Sequence, residues 1–131
     1  MTVKEATKAL GVTLGKDPDI IAFNEAKRAY DSNGELQNLL IEYGAERTLL
    51  GELYAKPFAD AEAEAAAEKV NARVSELAEA ITSHEAYVAL AAAQEKVNAL
   101  MQQVNADISF YAFGEIPGCT HDCSSCGGCS H

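Results

Sequence analysis

Cysteine is absent from the first 118 residues of this 131-residue chain, and all four of its cysteines fall in the last thirteen. Basic residues are scarce too: ten Lys and Arg stand against twenty Asp and Glu, a formal charge of −10. That balance disfavours broad contact with nucleic-acid phosphates, which need clustered Lys and Arg. RNA, if involved, is reached through a partner. The same acidity argues against anionic membrane surfaces. No run approaches the roughly 20 apolar residues of a membrane span. The opening stretch, Met1 to Leu10, has no apolar core of the kind a signal peptide carries. The expected compartment is therefore the cytoplasm, where thiols stay reduced and clustered cysteines serve more often as ligands or redox groups than as structural disulfides.

Catalytic patterns are missing as well. There is no Ser/His/Asp arrangement, no phosphate-binding glycine loop and no pair of carboxylates in a credible cleft. The many glutamates read as a solvated helix face. The expectation is a protein that is not itself an enzyme. No stretch alternates as a β-strand does, which excludes a sheet of any weight.

What is present is helical periodicity with helix-start chemistry. Thr2-Val-Lys-Glu5 has the form of a capping box and opens a first helix over about 3–15, with Leu10 and Leu14 on one face. Asp17-Pro18 is a second start, a cap followed by proline at the first helical position. Ile20, Ile21, Phe23, Ala26 and Tyr30 continue it to about Asp31. Ser32-Asn-Gly-Glu35 predicts another capping box, opening a helix that carries Leu36, Leu39, Leu40, Tyr43, Leu50 and Leu53 and stops by Ala55, ahead of Pro57. Asp60 to about Thr82 is rich in Ala and Glu, both good helix formers, with Val70, Val74, Leu77 and Ile81 on one stripe. Ser83 is positioned to cap a last helix over about 84–113. Its Val97, Met101, Val104, Ile108 and Tyr111 keep a four-three-four-three spacing, the seam of a coiled coil and the best place for a subunit interface. Gly114 is placed to end that helix, just past the aromatic foot Phe110, Tyr111 and Phe113. His84 stands at the helix start with no chemical role expected.

The fold class is thus all-α: an antiparallel bundle of about five helices with a long C-terminal helix, followed by a Cys/Gly-rich tail. The division is a helical domain over 1–114 and a cysteine-rich metal-binding tail over 115–131.

That tail reads Cys119-Thr-His-Asp-Cys123-Ser-Ser-Cys126-Gly-Gly-Cys129-Ser-His131. Thiolates are soft ligands suited to zinc, Cu(I) and iron–sulfur clusters. Cys-x-x-Cys-x-x-Cys resembles a cluster-binding run, and four thiolates suffice for one [4Fe–4S] cluster. Zinc fits less well, because tetrathiolate zinc sites normally join two Cys-x-x-Cys pairs across a longer spacer. Free thiols or redox disulfides are further alternatives. His121 and His131 are possible added ligands, and solvated tail histidines otherwise. Cys119, Cys123 and Cys126 also match the radical-SAM spacing. Such enzymes carry that motif near the N-terminal end of an α/β barrel, not after helices. Two other functions compete: a precursor peptide whose Cys119–His131 segment is a maturase substrate, and a thiol-based redox or metal-delivery protein. The second lacks Lys or Arg near the thiols to lower their pKa.

The residues also resemble a known family. Leu10, Asp17, Ile21, Phe23, Ala26, Tyr30, Glu35-Leu36, Leu39-Leu40 and Tyr43 look like the N-terminal half of the YlbF/YmcA family. Tyr87, Leu90, Ala93, Val97, Leu100, Val104-Asn105, Ile108 and Gly114 resemble its second half. The YlbF branch tends to end in a cysteine- and glycine-rich tail, as Cys119 to Cys129 does here. The resemblance implies an all-helical fold that forms dimers or larger assemblies, and a regulatory role in bacteria. It further implies YmcA-like and YaaT-like partners, an association with iron–sulfur clusters, and influence on RNase Y-dependent mRNA processing, competence, sporulation and biofilm formation.

Overall fold

The computed structural model describes residues 1–114. They form five α-helices and, among the described residues, no strand: α1 (Val3–Leu14), α2 (Pro18–Ser32), α3 (Gly34–Tyr54), α4 (Ala61–Ser83) and α5 (Glu85–Phe113). The cysteines and histidines of the tail lie outside the described residues.

Local chemistry sets most of the boundaries. At α1 the capping box forms in full. Thr2 Oγ1 accepts from the Glu5 amide at 3.1 Å, and the Thr2 amide donates to the Glu5 carboxylate at 2.6 Å. Two of the orphan donors of a helix start are satisfied reciprocally in this way. Asp17 caps α2, accepting from the Asp19 amide at 2.8 Å, with Pro18 in the first turn. Asp60 caps α4 through the Ala63 amide at 2.8 Å.

Two starts differ from the sequence expectation. The cap of α3 is Asn33, whose Oδ1 accepts from the Leu36 amide at 2.9 Å. Ser32 instead ends α2, its hydroxyl donating back to the Arg28 carbonyl at 2.8 Å. Ser83 likewise ends α4 and donates to the Glu79 carbonyl at 2.7 Å. His84 begins α5, with its Nδ1 accepting from the Ala86 amide at 3.1 Å. In both cases a serine with a free hydroxyl prefers the carbonyl four residues back, and the next residue supplies the acceptor.

The chain divides into two units, Met1–Ala93 and a second from Gln94 onward. In the first, α3 and α4 pack most extensively and α2 lies against α3. α3 and α4 run antiparallel: Leu40 and Ile81 line one groove, and further along Arg73 of α4 meets Glu42 of α3 at 2.7 Å. Among the described residues, Leu36 of α3 and Ala67, Leu77 and Ile81 of α4 are the buried apolar residues, and Leu36 and Leu77 are the largest side chains fully enclosed. Enclosing each leucine contributes about 1.5–3 kcal/mol. Tyr54 and Phe58 close the α3–α4 connection with an edge-to-face contact at 5.3 Å. In the second unit the α5 segment buries no residue.

Candidate functional site

The described end of α5 precedes the cysteine tail in sequence, and it carries the most exposed large apolar side chains among the described residues of the second unit. Ile108 is 51% exposed, Phe110 56%, Tyr111 84% and Phe113 78%. Phe110 and Tyr111 meet edge to face at 5.3 Å. Gly114 then takes φ +73°, a left-handed conformation open to glycine, and its amide donates to the Phe110 carbonyl at 2.8 Å. The helix therefore ends where the sequence places its end.

The seam upstream is present as a continuous helical stripe. Val97 and Val104 are half-buried, while Met101, Ile108 and Tyr111 are exposed. Few charges interrupt it: between Ala86 and Phe113 the chain carries Glu95, Lys96 and Asp107 and no other charged residue. Gln94–Asn98 and Gln103–Asp107 side-chain hydrogen bonds, each 2.9 Å, lie on the two flanks of the seam.

The predicted ligands Cys119, Cys123, Cys126 and Cys129, with His121 and His131, all lie outside the described residues. Among the described residues no group of three or more His, Cys, Asp or Glu side chains is placed to hold a metal ion. Among them, too, no helix is long and apolar enough to cross a membrane.

The grooves of the first unit include two near its α2–α3 and α4–α5 connections. One, of about 260 Å³, lies between the end of α2 and the start of α5 and includes Ala29, Asn33, His84 and Glu85. The other, of about 210 Å³, is lined by Leu40, Tyr43, Ala78, Ile81, Thr82 and Tyr87. Neither is deep enough to enclose a drug-sized ligand. The sequence pattern did not mark either groove. Tyr43 read there as a member of an apolar stripe and Tyr87 only as part of the family-like run, and His84 was expected to have no chemical role.

Among the described residues two titratable groups are displaced from their ordinary values, and neither lines either of these grooves. The backbone and hydroxyl hydrogen bonds from Thr2 hold the Glu5 carboxyl below the usual carboxylate range. Hydrogen bonds to Glu42 and then Glu76 raise the Arg73 guanidinium. Both are structural contacts on open surface: one is a helix cap, the other a clasp between α3 and α4.

Comparison with known proteins gives one result. The family model Com_YlbF, described as control of competence regulator ComK, YlbF/YmcA, matches residues 3–110. No curated protein and no solved structure matches the chain. The matched span runs from the first residue of α1 to the aromatic foot of α5, and so covers nearly all of the helical frame. With most of its length accounted for in this way, the chain belongs to the YlbF/YmcA family, a family of competence regulators.

Proposed function

We propose that this regulator works as an assembling scaffold with a metal-binding tail. Its helices associate with a second copy or with paralogues, and Cys119, Cys123, Cys126 and Cys129 ligate an iron–sulfur cluster. It acts on RNA processing or developmental regulation through partners, in the cytoplasm, and catalyses no reaction itself. In this reading the partners are YmcA-like and YaaT-like proteins and, through them, RNase Y.

The observation that supports this reading most directly is the order of parts. A family-matching helical frame ends at 110, and the chain's entire supply of thiols follows within twenty residues. The donor set suits the cluster. Four soft sulfurs at three-, two- and two-residue intervals, with glycines between the last pair, match iron–sulfur ligation better than a spaced zinc site. When bound, such a cluster supplies one-electron redox chemistry and sensitivity to iron supply. Association has separate support. The α5 seam exposes Met101, Ile108 and Tyr111, and an uncharged stripe is the surface on which two acidic chains repel least.

The decisive experiment is purification without oxygen, followed by iron, sulfide and zinc analysis and an absorbance spectrum. The expected result is a brown protein with iron and acid-labile sulfide in equal amounts, both lost when the four cysteines are replaced by serine. A colourless protein that stays free of iron after reconstitution, or one that holds zinc alone, overturns the cluster assignment.

A further inference from the structure

A single residue joins α4 to α5. The first ends at Ser83 and the second begins at Glu85, so His84 is the whole connection. It is tied to both helices. Its amide donates to the carbonyl of buried Ile81 at 3.1 Å, and its carbonyl accepts from the Val88 amide at 3.0 Å. Its side chain makes a third tie, with Nδ1 accepting from the Ala86 amide at 3.1 Å. The other four helices are capped by Thr2, Asp17, Asn33 and Asp60. Among these residue types, histidine is the one whose ordinary charge change falls between about pH 5 and 8.

The direction of the third tie fixes the place of a proton. A backbone N–H only donates, so Nδ1 presents its lone pair and the neutral ring carries its hydrogen on Nε2. An imidazolium has a hydrogen on both nitrogens and no acceptor to offer. It also sets a positive charge at the positive end of a 29-residue helix. Protonation therefore removes the side-chain cap of α5. The groove beside the ring is lined by Ala29 of α2, Asn33 between α2 and α3, and Glu85, Ala86 and Ala89 of α5. Glu85 is its charged member, and a carboxylate there favours the imidazolium. Arg28 and Asp31 of α2 and Glu35 of α3 do not line the groove, and the last charged residue of α4 is Glu79. Among the described residues His84 forms no ion pair. The turn that His84 caps also carries Tyr87, which lines the second groove with Leu40, Tyr43 and Ile81.

We propose that His84 is a proton-sensitive latch on the α4–α5 joint. Neutral, it holds the first turn of α5 closed, with Tyr87 in place beside Ile81. Protonated, it releases the Ala86 amide and lets that turn open. The latch is closed in the neutral form and is lost as pH falls through the range in which imidazole takes up a proton. It rests on neither the cysteine tail nor any association between chains.

NMR of the full chain between about pH 5 and 8 tests it, with His84→Asn used to assign the ring signals. At the upper end the ring nitrogens should show the Nε2–H form. As pH falls, the Ala86 amide should shift with the same midpoint as the His84 ring. Its protection, relative to free-chain exchange at the same pH, should drop roughly fivefold, the loss that goes with a typical cap. His84→Asn keeps an acceptor that does not titrate, and should hold the Ala86 amide protected across the range. His84→Ala should leave that amide at the lower protection at every pH. Far-UV circular dichroism checks that both variants keep the parent helix content. An Ala86 amide that ignores the titration of His84, a neutral ring that carries its hydrogen on Nδ1, or a His84→Asn chain that loosens in acid as the parent does overturns the proposal.

Discussion

Leu36 of α3 and Leu77 of α4 are wholly enclosed, and among the described residues they are the largest side chains so enclosed. Truncating either to alanine removes transfer energy and leaves a cavity, a cost of about 2–5 kcal/mol. Against a total of roughly 5–15 kcal/mol for a domain, that is a large share. Urea unfolding of Leu36→Ala and Leu77→Ala should therefore show midpoints well below that of the parent. Arg73 is a useful contrast. Its ion pairs to Glu42 and Glu76 are close, but all three side chains are more than two-fifths exposed. Solvent screens such pairs, so Arg73→Met should leave the midpoint nearly where it was. Glu5 carries a pH dependence of defined sign. Its folded carboxyl is depressed below the ordinary 4.5, so the cap is complete above that value and is lost as pH falls through the lower, folded one. Protection of the amides at the start of α1, relative to free-chain exchange at the same pH, should fall over that acid window in the parent. Glu5→Gln should flatten the dependence.

Elements were legible from the sequence where a single residue could do the capping. Thr2 with Glu5 and Asp17 with Pro18 each stand alone at their helix start and cap as expected, and Asp60, read only as the start of an Ala/Glu-rich stretch, caps α4 as well. The pattern failed where two capable residues adjoin. Ser32 precedes Asn33 and Ser83 precedes His84, and the choice went to the second because the serine hydroxyl bonds within the helix it ends. Propensity cannot rank two neighbours whose competition is settled by which carbonyl lies in reach. Stripes were partly legible. Leu77 and Ile81 are buried as their spacing requires, while Val70 and Val74 on the same stripe are only half covered. Periodicity identifies a face but not what lies over it. The same holds for α5, whose seam was readable and whose cover was not. If that seam joins two chains, Met101→Glu/Ile108→Glu should reduce the mass seen by light scattering while leaving helix content unchanged.

At the scale of the whole molecule, the family is settled over residues 3–110, whereas the tail chemistry rests on its donor set alone. The family was readable because its signature is distributed along amphipathic helices, which sequence records directly. The site was readable only as a list of sulfurs, since spacing names possible ligands without saying which metal they close around. Thirteen large apolar residues are exposed among the described residues, and if a second chain covers some of them the folded form gains from association. Binding that stabilises only the folded form raises its melting point by mass action. The thermal midpoint should accordingly climb with protein concentration, and differential scanning calorimetry over a hundredfold range would show it. A midpoint that does not move would mean that each chain melts alone.

The unbroken length of α5 gives the chain a rotational memory. Its 29 residues extend about 43 Å. One residue inserted between Gln102 and Gln103 would swing Ile108 and Tyr111 through about 100° relative to Val97, whereas seven inserted residues would return them almost to their starting azimuth. Whatever reads the far end of this rod is thus sensitive to the phase of an insertion far more than to its size.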